Sequence, residues 1–512
     1  MPATAPPYED LLAHQRETAL LASTASLLGW DQETMMPPGG LEHRSNQLSQ
    51  LAGLVHGRAT DARVGEWLTA CEADTELMHD PTQPAAVNVR EWRRDYDRAT
   101  KLPAELVVEF SQTTSKAKAE WDTAKTHNDF PRFAPWLDKI VELSRQKAAC
   151  YGWDPASGEP WDALAEGYET GMTAAAVTEV FTPLRERLVD LVGRLGEAPR
   201  QPSNRFNELK LPVADQEKLV RAVSAAVGFD YQRGRLDVSS HPFCSDTHCH
   251  DVRLTTRFAE DNFNDALGST MHETGHGLYE QGLPPEFIGT PRGESVGLSI
   301  HESQSRLWEN QVGRSRAFWS WCFPKLNETF GDAVSGLTEE EVYAACNRVR
   351  PSLIRVEADE ATYNLHIMIR FELERALLKN ELDVGDLPTA WNQKYREYLG
   401  IDVPDDARGC LQDIHWSMGA LGYFPTYTLG NLYGAQFFET ATEALGGREE
   451  IQAMFARGEF APLLDWLRTH IHEPGRTFTS ADLCERITGR PLSADPLLRH
   501  LESKLPPIYG LA

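Results

Sequence analysis

Long apolar runs are missing from this chain. None approaches the ~18 apolar residues that a membrane-spanning helix needs, so a spanning protein is not expected. Basic residues are scarce beside acidic ones. Fifty Lys and Arg face 76 Asp and Glu, which leaves a formal charge of −26. Nucleic acids and anionic membranes both reward a basic surface, so neither is expected as a partner. The plain reading of the excess is solubility; a secondary one is a field that disfavours acidic substrates. Cysteine is sparse too. Eight are scattered over 512 residues, which suits free thiols in a reducing cytoplasm better than a disulfide framework. The opening Met1-Pro2-Ala3-Thr4-Ala5 has no basic stretch, and no secretory leader is expected. Internal repeats and low-complexity tracts are absent. So is the alternation of strands and helices that a parallel sheet requires. The length suits about three domains, or one large helical body.

Helical patterning fills most of what is there. Residues 11–28 space Leu and Ala helically. Residues 173–195 carry a stripe of Val177, Val180, Phe181, Leu184, Leu188 and Leu191. Thr338 and Glu341 form a capping box, with Leu337 and Val342 placed as a hydrophobic staple. Another helix is expected over about 359–379. Gly and Pro mark loops at 196–212 and 282–295. One segment, 251–258, reads as a strand. Val252, Leu254 and Phe258 share one face, while Asp251, Arg253, Thr255 and Arg257 share the other.

Just after that strand stands His272-Glu273-Thr274-Gly275-His276. On a helix, positions i and i+4 lie one above the other, so both imidazoles can reach one ion. Glu273 is then placed to act as general base on a water. Zinc is the default ion, because imidazole suits it. Asn262 to Asp265 offers capping side chains. Leu267, Met271, Thr274 and Leu278 make an apolar anchoring stripe, and Gly282-Leu283-Pro284 ends the helix. The alternative is two surface histidines on an ordinary helix. A catalytic zinc needs a third protein ligand and an open position. Glu302, on a second helix with Arg306 and Glu309, is the leading candidate; Ile300, Ser303 and Leu307 would face the core. His301 is the rival ligand. Glu309 reads either as an acceptor for a ligand histidine or as a solvated charge. His241, Cys244, His248, Cys249 and His250 form a second Cys/His cluster. We read it as packing against the strand rather than as a second metal site.

Five segments in order carry a resemblance. They are Asp251-Val252-Arg253-Leu254-Thr255, His272-Glu273-Thr274-Gly275-His276, His301-Glu302-Ser303-Gln304, Ile354-Arg355-Val356-Glu357-Ala358-Asp359 and Gly409-Cys410-Leu411-Gln412-Asp413-Ile414-His415-Trp416. Together, and with Trp30-Asp31-Gln32-Glu33-Thr34-Met35-Met36-Pro37, they resemble the M32 family of metallocarboxypeptidases over most of the chain. The resemblance implies one mainly α catalytic domain over residues 1–512, with a deep active-site groove and a small β element beside the metal helix. That fold is related to neurolysin and angiotensin-converting enzyme, and the N-terminal helices, about 1–125, would form a lid. It also implies stepwise removal of C-terminal residues with broad specificity, zinc or cobalt as the ion, and a homodimer. By resemblance Glu302 is the third ligand and Arg355 binds the substrate carboxylate.

The chemistry of an exopeptidase supports such roles. A terminal carboxylate is best gripped by arginine through two parallel hydrogen bonds. Arg355, just before a helix, fits; its alternative is a structural pair with Glu357 or Asp359. Arg253 is the second candidate, on a strand face that orders the site or lies along the substrate. A developing oxyanion needs a donor. His415, Tyr423 and Tyr427 are candidates, with aromatic packing as the alternative for the tyrosines. The rival functions are an oligopeptidase or dipeptidyl carboxypeptidase of the same fold, and a metal-binding protein without hydrolytic activity.

Overall fold

Helix runs from Pro6 to Ile508 with one small sheet interrupting it, in a computed structural model that describes residues 6–511. Residues 1–5, read above for a leader, lie outside the described residues. Among the described residues no helix is long and apolar enough to cross a membrane, and the eight cysteines form no disulfide. The chain divides into two compact units, each drawn from three stretches. The first takes Met1–Thr100, Ser203–Cys346 and Phe437–Pro491; the second takes Lys101–Pro202, Asn347–Gln436 and Leu492–Ala512.

In the first unit the opening helix is Pro6–Thr34, longer at both ends than 11–28. It buries Tyr8, Leu11, His14 and Thr18 at helical spacing. Tyr8 and Leu11 pack with Val64, Leu68, Cys71, Val89 and Trp92. The expected strand is real but shorter. β3 (Asp251–Thr256) stops before Phe258, which is half-buried outside it. It is the centre of a three-stranded sheet with β1 (Gly234–Val238) parallel on one side and β2 (Cys244–His248) antiparallel on the other. The sequence hides β2, since Cys244-Ser245-Asp246-Thr247-His248 has no apolar alternation to read, and shows β1 only as the brief alternation of Leu236 and Val238 with Arg235 and Asp237. Thr255 departs from its expected polar face. It is fully buried because its hydroxyl accepts from Ser239 Oγ and Phe243 N–H, both at 2.8 Å. The capping box holds: Glu341 N–H donates to Thr338 Oγ1 at 3.2 Å, and Thr338 N–H donates to Glu341 at 2.9 Å.

In the second unit Thr173 Oγ1 caps the helix Ala174–Gly196 by accepting from Ala176 N–H. Val177, Phe181, Leu184, Leu188 and Leu191 are buried as expected, while Val180 sits at the edge, half-buried. Phe181 meets Phe371 of the helix Thr362–Leu378, ring centres 5.5 Å apart. That helix starts three residues later than expected because Asp359 lies before it, its carboxylate accepting from Ala361 and Thr362 N–H. Of the expected loops, 196–212 contains a single helical turn (Arg205–Glu208), and 282–295 contains two (Pro285–Phe287 and Pro291–Gly293).

Candidate functional site

The helix Phe263–Gly282 presents His272 and His276 on one face and buries most of its other residues. Leu267, Met271, Thr274 and Leu278 are inside, as their spacing predicts. The expected cap is not made: Asn262 has no side-chain cap bond, and Asp265 pairs with Arg257 at 2.7 and 2.9 Å instead. Alongside runs Leu298–Arg306, which carries Glu302 with Ile300 and Ser303 buried. Gly275, between the histidines, is where the two helices touch. A Cβ there would lie 2.5 Å from the Gln304 carbonyl oxygen and 2.6 Å from Ser305 Cα.

This approach brings His272, His276 and Glu302 together. Each histidine Nε2 lies 3.4 Å from Glu302 Oε2, and the three ligand-type atoms lie within 4.8 Å of one another. Tetrahedral ligation at ~2.0–2.1 Å per bond separates donors by about 3.3–3.4 Å, so the set fits one ion. The other atoms of the three side chains are already occupied. Glu302 Oε1 accepts from Arg306 Nε at 2.7 Å. His272 Nδ1 meets Glu309 Oε2 at 3.0 Å, and His276 Nδ1 meets His301 Nδ1 at 2.5 Å. Both Nε2 atoms therefore face the same small volume.

Glu309 is not a solvated charge. It lies in a wider π-type turn, Leu307–Gly313, buried, and pairs with Arg306 at 3.2 Å and Arg314 at 2.8 Å. Such turns re-aim side chains and recur at functional sites. His301 is not one of the clustered donors; it stands behind His276 and meets Glu280 Oε1 at 2.6 Å.

Charge is distributed unevenly here. Burial would raise the Glu302 carboxyl, but Arg306 and His272 outweigh it and hold it well below the usual range. Burial opposes the charge on Glu309 as well, yet Arg306 and Arg314 bring it down to about 2. On Glu273 burial outweighs the lowering by His272 and His301 and pushes the carboxyl up to about 7. His276 falls to about 3 through burial, with His301 beside it. On His272, burial is overcome by Glu302 and Glu309, and the net shift is upward.

Arg253 is turned away from this cluster. Leu254, its neighbour on the other face of β3, lies against Gly277 of the histidine helix. Arg253 pairs with Asp251 at 2.9 Å and stacks over Trp30, 4.3 Å from the ring centre. In the Cys/His cluster, β2 is hydrogen-bonded to β3, as expected. Donor atoms of His248, Cys249 and His250 also lie within 4.8 Å of one another. His248 Nδ1 already accepts from His250 N–H at 3.0 Å, and burial pushes the Cys249 thiol up.

The second unit holds the other candidates. Arg355 is buried at a single helical turn, Arg355–Glu357. Its partner is neither Glu357 nor Asp359. Nε donates to Asp413 Oδ1 at 2.9 Å and Nη1 to Tyr363 Oη at 3.0 Å, while its N–H reaches Gln412 Oε1 at 2.9 Å. Arg370 takes the other Asp413 oxygen at 2.6 Å. The two cations hold Asp413 well below the carboxylate range against the effect of burial. His415 Nε2 lies 3.4 Å from Tyr427 Oη, and the Tyr423 ring is 5.3 Å from both of their rings. Burial raises the Tyr427 hydroxyl well above its ordinary value. Sequence reasoning missed Asp413, Tyr363, Glu280 and the Arg306 clamp. Glu280 and Arg306 had local signals, each four residues after a proposed ligand, His276 and Glu302, on the same helix face.

Known proteins resemble this chain over nearly its whole length. The family model of the carboxypeptidase Taq (M32) metallopeptidases matches residues 10–505. Thermostable carboxypeptidase 1 of Thermus thermophilus is 48% identical over 509 residues, covering 98% of this chain and 99% of that one. Its namesake from Pyrococcus furiosus is 37% identical, covering 97% and 98%. The crystal structure of an M32 carboxypeptidase from Deinococcus radiodurans superposes with a TM-score of 0.95 at 44% identity, covering 99% of this chain and all of that one.

Proposed function

The chain belongs to the carboxypeptidase Taq (M32) metallopeptidase family and is a metal-dependent carboxypeptidase, and from that premise we propose that its ion is zinc, held by His272, His276 and Glu302. The observation that carries this reading is the pair of 3.4 Å separations from Glu302 Oε2 to the two histidine Nε2 atoms. When bound, the ion supplies a Lewis acid and lowers the pKa of water to about 7.

Glu273 takes the proton from the attacking water and returns it to the leaving amine. A carboxyl pushed up to about 7 by burial suits a group that must both accept and release near neutrality. Arg355 binds the terminal carboxylate of the peptide, with Asp413 and Tyr363 fixing its plane so that two parallel hydrogen bonds can form. This confines cleavage to the last peptide bond, and single residues leave in turn. His415 with Tyr427 or Tyr423 supplies the oxyanion donor. The raised Tyr427 hydroxyl keeps its proton, which suits donation. Arg253, tied to Asp251 and Trp30, orders the site or lies along the substrate and leaves the terminal carboxylate to Arg355.

Mass spectrometry of peptide digests tests the reading. Zinc-loaded protein should remove single residues from a free-acid peptide and leave its C-terminal amide intact. Glu273→Gln should keep its metal and lose about 10²–10⁴-fold in rate. Internal cuts, or residues released in pairs, would overturn the exopeptidase assignment. An active Glu273→Gln would remove Glu273 as the base.

A further inference from the structure

The two histidines proposed as ligands are backed differently. Behind His272 stands a carboxylate, Glu309, at 3.0 Å. Behind His276 stands another imidazole, with His301 Nδ1 at 2.5 Å, and His301 Nε2 continues to Glu280 Oε1 at 2.6 Å. All three residues of this chain stand on ligand-bearing elements. Glu280 is buried one turn beyond His276 on the helix Phe263–Gly282, and His301 directly precedes Glu302. The His301 ring lies 5.3 Å from that of Tyr279, whose hydroxyl accepts from Val296 N–H at 3.1 Å.

The protons along the chain follow from its chemistry. A neutral imidazole has one N–H and one lone pair. With the His276 Nε2 lone pair directed at the ion site, Nδ1 carries the hydrogen. His301 Nδ1 must then accept, so its Nε2 carries the hydrogen and donates to the Glu280 carboxylate. Reversing either ring would set two donors or two lone pairs against each other.

We propose that His301 and Glu280 form a positioning relay for His276, in which His301 fixes the tautomer and ring plane of His276 and Glu280 fixes His301. The relay rests on the reading of His276 as a ligand. It makes no contact with substrate; it acts through the affinity and geometry of the ion site. Groups behind ligand histidines commonly contribute about 10–100-fold in metal affinity.

Zinc affinity of the full chain, measured by competition with a chromophoric chelator, and the visible spectrum of the cobalt-loaded protein test this. His301→Phe keeps a ring beside Tyr279 but deletes both links. His301→Gln keeps one acceptor and one donor. His301→Phe should bind zinc about 10–100-fold more weakly and shift the cobalt bands, and His301→Gln should recover most of that loss. Glu280→Gln should fall between wild type and His301→Phe. Melting of the metal-free proteins shows which variants fold. Should His301→Phe not fold, a Glu280→Gln protein with wild-type affinity and spectrum overturns the relay. His276→Ala separates the two claims. Loss of zinc there beside wild-type affinity in His301→Phe sinks the relay alone, whereas zinc retained in His276→Ala sinks the ligand reading beneath it.

Discussion

Glu374 accepts three N–H donors, from Trp161 Nε1 at 3.2 Å, Trp416 Nε1 at 2.8 Å and Gly422 at 3.0 Å. Those donors favour its charged form, yet burial outweighs them and pushes the carboxyl up to about 7. Trp416 adjoins His415 and Gly422 adjoins Tyr423, so this one side chain pins both ends of the segment carrying the proposed oxyanion donors. A group whose pKa is higher folded than unfolded adds stability that is fully present below its unfolded value. That stability is lost as the pH rises through the folded value. For Glu374 the window runs from the ordinary 4.5 to about 7, and the loss is at most about 3 kcal/mol at 1.36 kcal/mol per unit. Glu374→Gln cannot titrate. It also turns an amide N–H₂ toward one of the indole N–H groups, a mismatch of about 1–3 kcal/mol. The variant should therefore melt well below wild type near pH 5, and the gap should narrow or invert by pH 8. A gap of the same size at both ends of that range would show that Glu374 is charged throughout.

Between elements, the contact at Gly275 decides how near Glu302 comes to the histidines. Gly275→Ala puts a methyl group where backbone atoms of Gln304 and Ser305 already stand at 2.5 and 2.6 Å, so the two helices must part. In an isolated helix the same change would stabilise by about 1 kcal/mol. Overpacking typically costs about 1–3 kcal/mol, and the net should be a lower melting point with at least tenfold weaker zinc binding. A more stable variant with undiminished affinity would show that the helix spacing does not set the centre. What could be read in advance divides at the same level. Thr338 and Glu341, the apolar stripe of 173–195 and the face of His272 and His276 were legible because each is a pattern within one element. Glu302 could be put forward from its own segment, beside His301 as a rival, but the resemblance was needed to choose it, since no local period links two separate helices. β2 was invisible because Cys244–His248 lacks a two-residue apolar alternation, and β1 because Leu236 and Val238, alternating with Arg235 and Asp237, give only one short repeat of it. Arg355 was offered near neighbours, Glu357 and Asp359, but its partner Asp413 lies 58 residues away. His301, read as a rival ligand, is adjacent in sequence to Glu302 yet turns to His276, a choice of side-chain direction that spacing alone leaves open.

Over the whole molecule the formal charge of −26 is a property that no single contact expresses. A charged body of that size repels anionic solutes over a distance set by the Debye length. That length falls from about 30 Å at 0.01 M to about 8 Å at 0.15 M ionic strength. The proposed carboxylate grip of Arg355 is local and survives screening; the approach of an acidic peptide does not escape the surrounding field at low salt. Raising the ionic strength across this range should therefore increase kcat/KM for a peptide rich in Asp and Glu, by an amount on the order of tenfold. It should lower kcat/KM for a Lys-rich peptide of the same length. The value of kcat should hardly move for either, because the repulsion acts on encounter and binding and is common to every later state. Peptides that share the same C-terminal residue isolate the field from side-chain preference. Equal salt responses for the acidic and basic peptides would mean that the net charge does not reach the substrate, and that selection is made by the residues touching it alone.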